Sequence, residues 1–222
     1  MSITKNIQNL QSKLPNEVTL VAVSKTKPIT DLEEAYKAGQ RVFGENKIQE
    51  MTQKWEVLPK DIEWHMIGHV QTNKVKYMGP YVHTIHAVDS LKLLKEINKQ
   101  ALKNNRVINC LLQLKIAEED SKFGLSKEDL ISILNNEVLE SFTNIKITGV
   151  MGMATFTEDK NQIKQEFERL RNTFEDLKYK SLPANTELKT LSMGMSGDYP
   201  IAIACGSTMI RVGSSIFGSR NY

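Results

Sequence analysis

The chain has few of the features that mark secreted, membrane-spanning or nucleic-acid-binding proteins. Two cysteines in 222 residues are too few for a disulfide framework, so a reducing cytoplasm is the simplest compartment. The amino terminus has no apolar signal core, and no apolar run approaches the ~18 residues of a membrane span. The formal charge of +3 is small and its basic residues are dispersed. We therefore expect neither nucleic acid nor a membrane as a partner.

The chain also lacks an internal boundary. No stretch rich in proline, glycine or serine divides it, and no long charge run or low-complexity segment does so. Apolar residues make up 40% of the 222 positions, which is enough for one sizeable core. We expect residues 1–222 to form a single domain.

Strand and helix patterns alternate along the chain. Eight segments are β-branched and largely apolar on both parities, as in parallel strands buried on two faces. They are residues 19–24, 41–44, 62–67, 84–88, 107–115, 145–151, 188–192 and 209–212. Helical patterns follow all but the last, and an amphipathic helix over residues 2–14 precedes the first. The inventory predicts a (β/α)8 barrel of TIM type with an extra N-terminal helix, with a doubly wound open sheet as the alternative.

Three of the predicted helices begin at polar capping residues. Thr30, with Glu33 three positions later, has the pattern of a capping box. Ser90 and Ser126 precede helical patterns and are typical N-cap residues. After the helix that begins at Thr30, the predicted helices cover residues 46–56, 71–78, 90–103, 126–136, 160–178 and 198–204.

The most informative single residue is Lys25, which closes the first predicted strand. Apolar residues 20–23 precede it, and Pro28 prevents the strand from continuing. Functional residues of such barrels gather where strands end. A desolvated amine there loses its proton more readily and can attack a carbonyl carbon to form a Schiff base. The alternative is a solvated lysine after an edge strand.

Two turns rich in glycine and serine follow the last two strands, at residues 192–197 and 213–215. Barrels often bind phosphate at this place, because glycine lets backbone N–H groups approach an anion. Arg211 lies inside the last apolar strand, where an unpaired guanidinium is costly. The functional interpretation is a permanent cation facing a ligand pocket. The alternatives are two tight turns and, for Arg211, a core ion pair or a position facing outward.

The histidines give little support for a metal centre. His65 and His69 are four residues apart but straddle a strand end, and no carboxylate cluster joins them. We therefore expect no metal site. His83 and His86 flank a strand and are interpreted as structural. No Gly-x-Ser-x-Gly elbow suggests serine hydrolase chemistry.

Several strings that together span nearly the whole chain resemble the pyridoxal phosphate homeostasis proteins. They are residues 22–28, 43–46, 67–74 and 191–198, together with 206–211 and a last group from Gly213 through 216–218 to Arg220. The resemblance implies the barrel of the N-terminal domain of alanine racemase. It also implies that pyridoxal 5′-phosphate (PLP) is held as an internal aldimine on the lysine of the first strand, which is Lys25 here.

The same resemblance implies a cofactor site and no catalytic residue. Its residues are Lys25, Asn46, Ser192, Arg211, Gly213 and Ser214. Arg211 is expected at the ring nitrogen or the phosphate of PLP. Ser192 and the Gly213–Ser214 backbone are expected at the phosphate, and Asn46 near the ring.

The implied function is a cytoplasmic, monomeric PLP-binding protein that maintains vitamin B6 and, indirectly, amino-acid balance. PLP-dependent apoenzymes are candidate partners. Two points argue against efficient catalysis: an arginine at the ring nitrogen weakens PLP as an electron sink, and alanine racemase takes a catalytic tyrosine from an additional domain that we do not expect here. The alternatives are a PLP-dependent racemase or lyase, and a lysine Schiff-base aldolase without PLP.

Overall fold

The structure, a computed structural model, describes residues 2–118 and 123–218. Arg220, one of the residues that carry the family resemblance, lies outside this range. The strands are β1 Thr19–Val23, β2 Val42–Glu45, β3 Glu63–Met66, β4 Thr84–Val88, β5 Ile108–Gln113, β6 Ile145–Met151, β7 Thr186–Met195 and β8 Met209–Val212. The helices are α1 Ile3–Gln11, α2 Ile29–Lys37, α3 Ile48–Val57, α4 Val75–Met78, α5 Leu91–Lys103, α6 Lys127–Leu134, α7 Lys160–Lys178, α8 Tyr199–Ala204 and α9 Ser214–Phe217. Short 3-10 turns cover Thr72–Lys74 and Glu137–Ser141.

The eight strands form a closed parallel barrel in sequence order. Closure is made by β1 and β8, whose register pairs Leu20 with Ile210 and Ala22 with Val212. All neighbouring pairs are parallel, as the two-sided apolar strands predict. The barrel prediction is confirmed, and the open sheet is excluded.

Two of the three predicted capping residues are confirmed. The Ser90 hydroxyl accepts from the N–H of Leu93, and Ser126 caps α6 in the same way. The capping box at Thr30 is wrong, because α2 begins one residue earlier and Pro28 occupies the N-cap position. Pro28 has φ −67° and the extended conformation of an N-cap residue, and no side chain caps the first N–H groups of α2.

The seventh strand is longer than predicted. It runs through Met195, across residues that were interpreted as a turn. Gly194 has φ +99°, and the β7–β8 register shifts between Ser192 and Met195, which is the geometry of a bulge. A methyl group on Gly194 would lie 2.7 Å from Cβ of Ala202, so only glycine fits. The turn itself therefore begins after Met195 and leads into α8.

The extra N-terminal helix is present and packs between α2 and α9. Its buried face carries Ile3, Ile7 and Leu10. The amide of Asn6 donates to the carbonyl of Ile216 at 2.8 Å, which ties α1 to the last helix. None of the described helices is long and apolar enough to cross a membrane.

Candidate functional site

A cavity of about 690 Å³ opens at the carboxyl-terminal end of the barrel. This volume lies within the range of small-molecule sites, ~300–1,000 Å³. Five of the predicted site residues line it: Lys25, Asn46, Arg211, Gly213 and Ser214. The residues come from the ends of β1, β2 and β8, which lie far apart in the sequence and meet because the barrel closes.

Lys25 is half-buried and follows β1 in a tight turn. The next residue, Thr26, has φ +65°, a left-handed conformation that is costly for a β-branched side chain. The backbone N–H of Thr26 donates to the Glu50 carboxylate at 2.6 Å. The conformation around Lys25 is therefore held by contacts from α3, and does not reflect the local preference of the chain.

A buried ion cluster lies beneath this turn. The Lys54 ammonium, on α3, donates to the carbonyl of Ser24 at 2.8 Å and to Glu45 and Glu50 at 2.7 Å each. Glu45 is fully buried and also accepts from the Ser24 hydroxyl at 2.6 Å. Burial raises the pKa of Glu45, and the charge of Lys54 opposes that rise. The cluster fixes the backbone on both sides of Lys25.

Arg211 is a buried cation on the floor of the cavity. Its guanidinium donates to the hydroxyl of Ser192 at 2.6 Å and to the carbonyl of Gly152 at 3.0 Å. Burial lowers the pKa of Arg211 to about 10, while Asp198 acts in the opposite direction. The group stays charged at neutral pH, so it supplies a fixed positive charge facing the cavity.

Two turns form one wall of the cavity. The hydroxyl of Ser196 accepts from the N–H of Gly213 at 3.2 Å, which joins the turn after β7 to the turn after β8. Ser196, Gly197 and Ser214 all line the cavity. The α9 helix begins at Ser214, and the first N–H groups of any helix have no partner within it. This wall presents hydroxyl and backbone donors suited to an anion.

Asn46 also lines the cavity and carries an unsatisfied polar atom. Its side-chain oxygen is buried and has no hydrogen-bond partner among the described residues. Gly68 packs directly on the Asn46 backbone, where a methyl group would approach the carbonyl oxygen to 2.4 Å. Since buried polar atoms are nearly always paired in native proteins, this oxygen indicates a ligand group that reaches it.

Two other lysines, Lys27 and Lys74, are candidates for the covalent link, and only Lys27 lines the cavity with Lys25. The Lys27 ammonium donates to the carbonyl oxygens of Phe217 and Gly218 at 2.9 and 3.3 Å, so it closes the end of α9. Lys74 lies in the 3-10 turn, with its ammonium 5.7 Å from the ring centre of Tyr77, and does not line the cavity.

Ser192 does not line the cavity. It lies in β7, fully buried in the barrel interior, where its hydroxyl contacts Arg211 and Nδ1 of His86 at 3.2 Å. The expected contact between Ser192 and a phosphate stays a prediction. Its observed contact is with the guanidinium above it.

The interior of the barrel continues this polar chain toward the other end. Nε2 of His86 and Nδ1 of His65 share a hydrogen bond of 2.9 Å. Burial lowers the pKa of His65 to about 3 and that of His86 well below its ordinary value. Both imidazoles are therefore neutral at physiological pH.

Comparisons with known proteins agree with the barrel fold and with the family resemblance of the sequence. The family model described as alanine racemase, N-terminal domain, matches residues 1–221. A pyridoxal phosphate homeostasis protein of Haemophilus influenzae is 36% identical over 235 residues, which cover 100% of this chain and 98% of that protein. The chain belongs to the pyridoxal phosphate homeostasis family. The resemblance drawn from the sequence is thus confirmed.

Solved structures of one family member resemble this chain over nearly its full length. PipY of Synechococcus elongatus PCC7942, solved without PLP, matches with a TM-score of 0.90 and 36% identity, over 97% of this chain and 100% of that one. The structure of PipY with PLP bound matches with a TM-score of 0.87 and 34% identity, over the same shares of the two chains.

Sequence reasoning missed the residues that support the site from below. Glu45 and Lys54 are nine positions apart on different elements, and nothing in the local pattern joins them. Ser196 was seen as part of a glycine-rich turn but was not singled out. An acidic residue closing an apolar strand, as Glu45 closes β2, is the one signal that pointed to a buried pair.

Proposed function

We propose that this chain binds PLP covalently, through a Schiff base on Lys25, and acts in cytoplasmic PLP homeostasis as a monomeric carrier without efficient catalysis. The observation that carries the proposal is the placement of Lys25 in one cavity with the Arg211 cation and the Ser196–Gly213 wall. The chain's membership of a family in which PipY has been solved with PLP bound supports the same cofactor.

The residues of the cavity fit the chemical groups of PLP. The cofactor supplies an aldehyde that condenses with an amine and releases one water molecule, and it needs no oxidant or metal for that step. Lys25 would provide the amine. The donors of Ser196 and Ser214 suit a phosphate, and the orphaned oxygen of Asn46 can accept from a hydroxyl or a protonated nitrogen.

The carrier role is supported by what surrounds the cavity. PLP drives amino-acid chemistry as an electron sink, which works best with a protonated ring nitrogen. Arg211 keeps its charge at neutral pH, and a cation facing that nitrogen disfavours its protonation. Among the described residues that line the cavity there is no tyrosine, although His69 is a candidate acid–base group. The position of Arg211 is therefore the feature that disfavours racemisation.

An absorption spectrum of the purified protein tests the covalent link. We expect a visible band with PLP that is lost in Lys25→Ala, while the fold is retained by circular dichroism. Lys27→Ala is the matched control, because Lys27 also lines the cavity but bonds to the end of α9, and it should keep the band. A band that persists unchanged in Lys25→Ala would overturn the proposal.

Incubation with a panel of L-amino acids tests the absence of efficient catalysis. We expect neither D-isomers nor keto acids at ordinary enzyme rates. Turnover at such rates, ~1–1,000 per second, would favour the racemase or lyase alternative. A protein that forms a reducible adduct with a simple aldehyde but never with PLP would favour the aldolase alternative. Light scattering of the purified chain tests the monomer.

A further inference from the structure

A second cavity, of about 310 Å³, opens at the amino-terminal end of the barrel, opposite the cofactor cavity. Glu63, His65 and His83 line it, and each offers one ligand atom within 4.8 Å of the other two. The pairing of β3 with β4 makes this grouping: β3 begins at Glu63, its third residue is His65, and His83 directly precedes β4. The sequence analysis compared His65 with His69, but His69 lies at the carboxyl-terminal end of the barrel.

The buried histidine of this group has an unsatisfied atom. His65 is 2% exposed, and its Nε2 has no hydrogen-bond partner among the described residues. Its other ring nitrogen is engaged with His86. Since buried polar atoms are rarely left unpaired, Nε2 indicates a group that the cavity accommodates.

The hydrogen bonds inside the barrel allow two directions, and one of them suits a ligand at this atom. The Arg211 guanidinium can only donate to Ser192. If His86 also donates to Ser192, its other nitrogen must accept from Nδ1–H of His65, which leaves Nε2 of His65 as a bare lone pair. That tautomer is the one a metal ion requires, and an imidazole held by a second hydrogen bond is the usual supporting arrangement of a metal-bound histidine.

We propose that Glu63, His65 and His83 bind one divalent transition-metal ion of the zinc type at the amino-terminal end of the barrel. Two imidazole nitrogens and one carboxylate are a ligand set that suits Zn²⁺, with water completing the coordination.

Binding requires the His83 ring to rotate. It is now stacked on the His65 ring, with centroids 5.5 Å apart and planes 3° from parallel, and its Nδ1 lies 2.9 Å from Oγ1 of Thr84. Nδ1 of His83 lies 3.7 Å from the Glu63 carboxylate, and ligands around a tetrahedral zinc are separated by about 3.5 Å. The side chains of His83 and Glu63 are 41% and 47% exposed, so both have room to rotate toward Nε2 of His65. The nearby cations Lys146 and Lys189 are both paired with Glu187, which reduces their repulsion of a metal ion.

Titration of the tag-free full-length chain with Zn²⁺, in competition with a chromophoric chelator, tests the proposal. We expect one ion per chain. Glu63→Gln and His83→Ala change exposed side chains, so both variants should fold, and each should weaken binding at least ~10-fold. His69→Ala is the control, because His69 is a half-exposed histidine beside Asp89 at the opposite end of the barrel, and it should bind Zn²⁺ as the parent does.

Ring-nitrogen NMR of the histidines identifies the ligand atom. With Zn²⁺ we expect His65 to show a coordinated Nε2 and a protonated Nδ1. The absence of one-to-one binding, parental affinity in both Glu63→Gln and His83→Ala, an equal loss in His69→Ala, or an unshifted His65 Nε2 would each overturn the proposal. The titration needs no PLP, so its failure would leave the cofactor proposal unaffected.

Discussion

Replacing Lys54 by methionine isolates the buried cluster that holds the turn containing Lys25. The ammonium makes three hydrogen bonds of 2.7–2.8 Å, to Ser24, Glu45 and Glu50, and the Lys54 side chain is 6% exposed. Methionine keeps most of the volume but removes the charge. The carboxylate of Glu45, fully buried and with its second oxygen unpaired among the described residues, is then left without a counter-ion.

Breaking a buried pair by removing one partner costs about 3–5 kcal/mol, so we expect a loss of that size at neutral pH. For a chain of 222 residues this corresponds to a fall in Tm of about 6–20 °C. Urea unfolding, followed by the fluorescence of Trp64 in the core, measures the loss. The double variant Lys54→Met/Glu45→Gln should be more stable than Lys54→Met alone, because no unpaired charge remains.

The pH dependence of Lys54→Met has a definite sign. Burial raises the folded-state pKa of Glu45 above 4.5, so the folded chain holds this proton more tightly than the unfolded chain does. Stability from this group is greatest below the unfolded pKa and declines as pH rises through the folded pKa. Removing Lys54 raises the folded-state pKa of Glu45 further, because the charge of Lys54 lowers it.

The deficit of Lys54→Met relative to the parent should therefore grow from acid toward neutral pH. PLP retention should also fall, although Lys54 does not line the cavity. A deficit below ~1 kcal/mol, one that does not change with pH, or a double variant less stable than Lys54→Met would refute this reasoning.

Three further substitutions test other parts of the site. Arg211→Gln should weaken PLP binding about 10- to 100-fold in an equilibrium titration, as expected for the loss of a charged hydrogen bond worth ~1.5–3 kcal/mol; unchanged affinity would remove Arg211 from the site. Gly194→Ala should lower the free energy of unfolding by roughly 2–5 kcal/mol, because alanine disfavours the positive φ and its methyl group would clash with Ala202. Gly197→Ala is the control: the space around Gly197 is open, so this variant should lose less than ~1 kcal/mol. Thr26→Gly should keep or raise stability in urea unfolding by up to ~1 kcal/mol, since glycine relieves the strain at φ +65°; a loss above ~1 kcal/mol would contradict that strain.

The architecture could be predicted from local patterns because each strand carries its own signal. The segment from Val107 through Leu112 is largely apolar on both parities, which is the pattern of a strand covered on both faces. The structure places β5 there, at Ile108–Gln113. The periodicity of residues 160–178 likewise predicted α7 with its observed ends. In contrast, α9 was missed, because a four-residue helix is too short to show any periodicity.

The site was less predictable because it depends on which way each side chain points and on contacts between distant elements. A shift of one position decides whether a strand residue faces the interior or the helices, and the bulge in β7 changes that parity. Ser192, before the bulge, lies inside the barrel beside Arg211, and Ser196, after it, lies on the cavity wall. The contact between His65 and His86 likewise depends on the pairing of β3 with β4, which no local pattern reports.

Borohydride reduction of the PLP-loaded protein, followed by intact mass and peptide mapping, tests the cofactor link most directly. We predict one reduced PLP adduct per chain, on the peptide that contains Lys25. An adduct on Lys27 or Lys74, or no adduct at all, would contradict the assignment of the cavity at the carboxyl-terminal end of the barrel.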